Sequence, residues 1–252
     1  MEEKDIMQTN SNIICGRNSV LEALRSGREI DRLLVAHGAT HGSVQAIIAK
    51  CSARGILIKE VSPQKLDFLC PGSNHQGVAV MIAAQEYCEV SDILDYAAEK
   101  GEAPFIIICD ELEDPHNLGA IIRTAEATGV HGIIIPKRRS ASLNATVAKS
   151  ACGALEYMRV ARVTNIPNTI EELKKQGVWV YGADMDGKDY TTFDFSGATA
   201  VVIGNEGRGI GRLVGEKCDE IVSLPMVGKI NSLNASVAAG ILMYEVLRKR
   251  GK

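Results

Sequence analysis

The chain has 252 residues, 46% of them apolar, enough for a sizeable core, and sets 28 Lys and Arg against 31 Asp and Glu for a net charge of −3. That near-balance excludes a protein that grips nucleic acid through bulk positive charge, although local basic clusters stay possible. The longest unbroken apolar run, seven residues from Val78 to Ala84, falls far short of the roughly 20 needed to span a bilayer, so no membrane association is expected.

Seven cysteines without a Cys-x-x-Cys pair, and a start unlike a signal peptide, fit a reducing, cytoplasmic setting. In chain order, residues 13–84 read as a small α/β unit. A helix near Asn18–Ser26 is followed by the strand "DRLLVA", a helix near Ser43–Arg54, and the strands "ILIKEV" and "GVAVMI". Residues 86–103 then hold six acidic residues against one lysine; their helical stretch, Val90–Glu99, is expected to be a solvated linker. The domain division expected is therefore 1–85, a linker over 86–103, and 104–252.

From Phe105 onward, short β-branched runs alternate with helical patterns. "FIIICDE" precedes a helix over 117–128, "HGIIIP" one over 143–152, and "MRVARV" one over 167–176. "VWVYGAD" and "TAVVIG" lead to 208–217, and "EIVSLP" to a last helix over 232–250. Strands alternating with helices predict an α/β domain whose mostly parallel sheet is covered on both faces, with ligands at the carboxyl ends of the strands.

Three stretches carry candidate chemistry. "VVIGNEGRGIGRL" ends a strand in a glycine-rich loop, but neither a dinucleotide fingerprint nor the acidic-x-G-x-G-x-G loop of class I methyltransferases fits its spacing. Its glycines bracket Glu206, so the backbone can turn tightly while presenting a carboxylate. In "DPHNLGAIIRTAEATG" the residues Asp114, Pro115 and Asn117 read as a helix start. Arg123 projects roughly 150° away from the apolar face of Leu118, Ile121, Ile122 and Ala125. In "SLPMVGKINSLNASVAAGI" a strand passes through Pro225 and Gly228 to a helix opened by Ser232, Leu233 and Asn234, collecting polar groups at one strand end. His37 and His41 have zinc-helix spacing but sit among glycines and lack the adjacent glutamate, so no metal is expected. Lys137, Arg138 and Arg139 form the densest basic cluster, a candidate RNA contact.

In this order, "NLGAIIRTA", "VIGNEGRGI" and "LPMVGKINSLNASVAAGI" resemble the three signature motifs of the SpoU/TrmH family of RNA ribose 2′-O-methyltransferases. "GRNSVLEAL" and "HQGVAV" look like that family's accessory domain, so residues 1–85 would bind RNA substrate. The likeness is greatest to the bacterial enzymes that methylate a guanosine of 23S ribosomal RNA. The resemblance implies a deep C-terminal trefoil knot in 104–252, S-adenosylmethionine as cofactor, and a homodimer. It places the cofactor against the backbone at Gly204, with Leu224, Met226 and Leu233 on the other side and Ala183 at a further strand end. It makes Arg123 the residue at the reacting nucleotide, with Asn117, Glu206, Ser232 and Asn234 orienting it and the ribose. Aromatic residues at 4% leave little for base stacking, so recognition should rest on RNA shape, phosphates and 2′-hydroxyls. Two alternatives stand beside this reading: a tRNA-directed member of the same family, and a non-catalytic RNA-binding protein, which would have lost the polar motif residues.

Overall fold

The apolar runs become strands. The computed structural model describes residues 12–39, 41–205, 207–229 and 232–251. These divide into two units, Met1–Glu86 with Ser142–Thr146, and Tyr87–Ala141 with Val147–Lys252.

The first unit contains β1 (Ile13–Cys15), α1 (Arg17–Arg25), β2 (Ile30–Ala36), α2 (Ser43–Ala53), β3 (Leu57–Val61), α3 (Pro63–Leu69) and β4 (Val78–Ile82). Its four-stranded sheet has the order β1-β4-β2-β3. Strand β4 is antiparallel to both β1 and β2, while β2 and β3 run parallel. One face carries Leu33, Val35, Val78 and Val80 against α1 and α2; the other carries Leu34, Ala36 and Ala79 against Leu66 of α3. Cys15 and Cys70 form a disulfide across a sequence separation of 55, contrary to the unpaired thiols expected of a reducing setting. With no local motif linking two cysteines so far apart, only the tertiary fold, which brings their Cα atoms to 6.2 Å, reveals the pair.

The second unit contains α4 (Val90–Glu99), β5 (Phe105–Cys109), α5 (Pro115–Ala127), β6 (Gly132–Pro136), the later part of α6 (Ala145–Ala151), and β7 (Val160–Val163). It continues through α7 (Ile166–Lys175), β8 (Trp179–Asp189), β9 (Thr199–Ile203), α8 (Arg212–Lys217), β10 (Glu220–Ser223) and α9 (Ala235–Lys249). Six strands in the order β10-β8-β9-β5-β6-β7 pair entirely in parallel. Every residue of β5 and β9 is buried, as central parallel strands covered on both faces require. The helices begin where capping chemistry places them: Asp114 accepts from the His116 amide with Pro115 behind it, Asn165 from Asn168, and Asn234 from Ser236 and Val237.

The acidic segment is not a solvated linker. Helix α4 turns one face inward, with Ile93 and Ala97 fully buried, and Ile93 joins the core of the parallel sheet alongside Ile106, Ile134 and Val180. A Cβ on Gly132 would lie 2.5 Å from the Ile93 side chain, so β6 begins on a glycine because this helix lies directly over it. Just before the helix, Cys88 donates its amide to Val160 at 3.0 Å and bridges the edge strand β7. Arg162 stacks on Tyr87 and Arg159 on Tyr96. Charge counting misses all of this because the acids occupy the outer face of an amphipathic helix.

Candidate active site

Strand β9 ends at Ile203 beside Ala183, which lies within β8 and not at its end; β8 runs on to Asp189 beside the end of β10, and the chain around these strands forms a cavity of about 540 Å³. Its lining includes Ala183, Gly204, Leu224, Met226, Ser232 and Leu233, six of the residues singled out in the sequence. Met226 and Leu233 are more than a third exposed, so one apolar wall is open to solvent.

The loop after β9 is held by its own backbone. Asn205 and Gly209 exchange two amide-to-carbonyl bonds of 3.0 and 2.8 Å, and the Asn205 carboxamide accepts from the Gly207 amide. A Cβ at Gly204 would lie 2.2 Å from the backbone carbon of Gly209, so no other residue fits there without rebuilding the loop. Gly209 has φ +66° and would carry a Cβ 2.8 Å from an Asp184 carboxylate oxygen. Glu206 lies outside the described residues.

Sequence reading missed the neighbouring strand's part in this loop. Because β5 pairs with β9, Asp110 follows directly beside it, and its carboxylate accepts from the Gly211 amide at 2.7 Å. Burial pushes the Asp110 carboxyl above its ordinary range, partly offset by that bond. Next to it, Glu111 accepts from the Asn205 side chain through its carbonyl, and its carboxylate pairs with Arg208 at 3.4 Å and Arg139 at 3.1 Å. The signal was present as the two acids closing "FIIICDE". Arg139 of the basic cluster is thus engaged with Glu111. Asp184 and Asp186 also line the cavity.

The polar residues of the other two motifs divide. Asn234 donates its side-chain amide to the Asn117 side-chain oxygen at 2.9 Å, joining the first turns of α9 and α5. Asn117 is buried, whereas Ser232 is exposed at the cavity. Arg123 is exposed on α5 and does not line the cavity; its guanidinium donates to the Cys152 thiol at 3.5 Å. The i+3 pairing with Glu126 that its position would allow gives way to this contact.

The arrangement can hold a small, mostly neutral group between the loop backbone and apolar walls, with carboxylates at one side. No group of three or more metal-ligating side chains occurs among the described residues.

Residues 104–244 match the SpoU rRNA Methylase family, and residues 13–88 match the substrate-binding domain of RNA 2′-O ribose methyltransferases. A chain of Bacillus subtilis (strain 168), YacO, named as a TrmH family tRNA/rRNA methyltransferase, is 51% identical over 97% of this chain and 98% of its own. Among solved structures, the AdoMet-bound rRNA methyltransferase of Sinorhizobium meliloti aligns with a TM-score of 0.59 at 27% identity, covering 98% of this chain and 90% of that one. The SpoU methyltransferase AviRb of Streptomyces viridochromogenes, in complex with AdoMet, shares the fold at 23% identity and a TM-score of 0.61 over 98% and 97% of the two chains. The glycine-bounded cavity at the strand ends thus sits in a chain that belongs to the SpoU/TrmH family of RNA methyltransferases.

Proposed function

We propose that this protein transfers a methyl group from S-adenosylmethionine to a ribose 2′-hydroxyl of RNA, on a guanosine of 23S ribosomal RNA. The observation that carries this reading is the cavity at Gly204. Its loop backbone closes so tightly that no side chain fits at Gly204, beside a space walled by Ile203, Leu224, Met226 and Leu233 with Asp184, Asp186 and Ser232 among its polar lining. An adenosyl group needs apolar walls and main-chain hydrogen bonds, and the residues present fit it.

S-adenosylmethionine supplies an electrophilic methyl on a sulfonium. The chain's own residues must bring a ribose hydroxyl in line with it and stabilise the alkoxide that develops. Arg123 clamps the adjacent phosphate and that developing charge; its guanidinium carries N–H donors and no acceptor, so it stabilises charge and does not take the proton. Asn117 and Asn234, bonded to each other, fix the relative placement of α5 and α9, and Ser232 and Glu206 orient the ribose and the guanidinium.

Arg123 stands outside the cavity of its own chain, which fits a homodimer. Helix α9 exposes Val237, Ile241 and Tyr244 at i, i+4 and i+7, an apolar stripe suited to a second copy. The first unit binds the RNA, and the knot belongs to the region holding Gly204, Leu224 and Leu233. A cytoplasmic location goes with an RNA substrate.

The test is transfer of labelled methyl to ribosomal and transfer RNA, with calorimetry of S-adenosylhomocysteine binding and mapping of 2′-O-methyl sites in cells lacking the protein. A missing methyl on a 23S guanosine supports the reading, a missing methyl on tRNA redirects the substrate, and failure to bind the cofactor sinks it.

A further inference from the structure

Helix α5 and the end of α6 lie closer than side chains ordinarily permit. A Cβ on Gly119 would sit 2.4 Å from the Ser150 Cβ and 2.8 Å from the Val147 carbonyl oxygen, so the glycine of "NLGAIIR" exists to let the α6 backbone rest on α5. On either side of that contact stand His116 and Arg123, seven residues apart and therefore on one face of α5. Each meets one residue of the α6 end. The Ser150 hydroxyl lies 3.2 Å from His116 Nδ1, and the Cys152 thiol takes the Arg123 hydrogen bond at 3.5 Å.

Cys152 is also conformationally unusual. It has φ +50° at the turn that ends α6, a backbone region that favours glycine, although a glycine with φ +89° follows immediately at 153. A cysteine held in that region projects its thiol onto Arg123, with the Lys149 carbonyl 3.6 Å from the same sulfur. An outlier of this kind points from strain to function. The guanidinium has several donors on a long stem; one fixed acceptor at its end removes rotamers before RNA arrives.

We propose that Cys152 is a positioning residue that holds the Arg123 guanidinium in its working orientation, with residues 150–152 bracing the acceptor-facing side of α5. The proposal rests on the role assigned to Arg123 above.

The test is a double-mutant cycle on the full-length protein, read as single-turnover methyl transfer to RNA. Cys152→Ala should lower the transfer rate roughly 10-fold, while S-adenosylhomocysteine affinity and Tm stay at wild-type values. Cys152→Ser, which keeps an acceptor, should recover most of the rate. In the Arg123→Ala background, Cys152→Ala should have no further effect. Multiplying defects, or a Cys152→Ala enzyme with full activity beside an impaired Arg123→Ala, would overturn the proposal and leave the role of Arg123 standing. A fully active Arg123→Ala would overturn both.

Alkylation offers a second measurement on the unmutated fold. Cys51 and Cys109 are buried, and burial pushes Cys88 up to about 11 and Cys218 up to about 12, which leaves Cys152 as the exposed free thiol among the described residues. N-ethylmaleimide should slow transfer in wild type and not in Cys152→Ser. Equal slowing of both proteins would refute the proposal.

Discussion

The two sides of the candidate site are built by different means. The cavity side is a convergence of strand ends, where Gly204 is locked against Gly209–Ile210 and Asp110 and Glu111 tie the loop to the neighbouring strand. The side proposed to receive RNA is a helix face, where Arg123 is exposed and touches one thiol. Binding a small cofactor calls for a preformed pocket, which backbone hydrogen bonds supply at little further entropic cost. Receiving an RNA strand calls for side chains that stay accessible until the strand arrives.

That contrast is tested most strongly at Arg123. Arg123→Ala should lower methyl transfer by roughly 100-fold or more, as loss of a preorganised charge-stabilising donor does elsewhere, with cofactor affinity unchanged. Parallel single-turnover and calorimetric measurements check it, and a loss of binding would mean the two sides are not separable. Arg123→Lys should restore little, because a point charge lacks the planar fork.

The converse variant, Gly204→Ala, should weaken S-adenosylhomocysteine binding by roughly 50-fold, since the new Cβ must displace the backbone at 209–210. Circular dichroism should report an intact fold. Unchanged affinity would detach the loop from the cofactor.

The rigidity of the cavity side depends on the sheet beneath it, and the sheet on α4. Ile93→Ala should cost about 2 kcal/mol in denaturant unfolding. A fragment starting at residue 87 should therefore be more stable than one starting at 104, and equal stability would return the segment to the status of a linker.

The smallest effect expected is at His131, where Nδ1 accepts from the Phe105 amide and Nε2 lies 3.1 Å from Glu102. Burial holds this imidazole below its ordinary 6.5, against the pull of Glu102. A base whose folded pKa is depressed contributes stability that is present above the unfolded value and lost as pH falls below it. Wild type should thus lose more stability than His131→Asn between pH 7 and pH 5, measured by Tm against pH. The same slope in both proteins would assign the loss to other groups.

Much of this was legible in the residues. The runs "FIIIC", "GIIIP" and "TAVVI" are strands because β-branched side chains without alternation suit a sheet covered on both faces, and Asp114-Pro115 and Asn234 open helices as capping predicts. Three-residue β1 is too short for any period to show, and α3, opened by Ser62 and Pro63, is only seven residues long. The lining of the cavity was readable through its motifs. The contributions of Asp110, Glu111 and Cys152 were not, because each acts through a partner between 29 and 101 positions away. Such contacts exist only after the parallel strands and helices have been stacked.

The bonds made by Arg250 and Asn234 have a consequence for the order in which the cavity is completed. Arg250 donates to the carbonyl oxygens of Ala103, Pro104, Phe195 and Gly197, closing the base of β5 and the approach to β9. Asn234 reaches back 117 positions to Asn117. The bonds to Ala103, Pro104 and Asn117 span 147, 146 and 117 positions. Until α9 packs against α5, the completed sheet lacks one wall of the cavity and the tie to Asn117, so the cavity is closed by contacts of long sequence separation, the kind that costs most loop entropy to form.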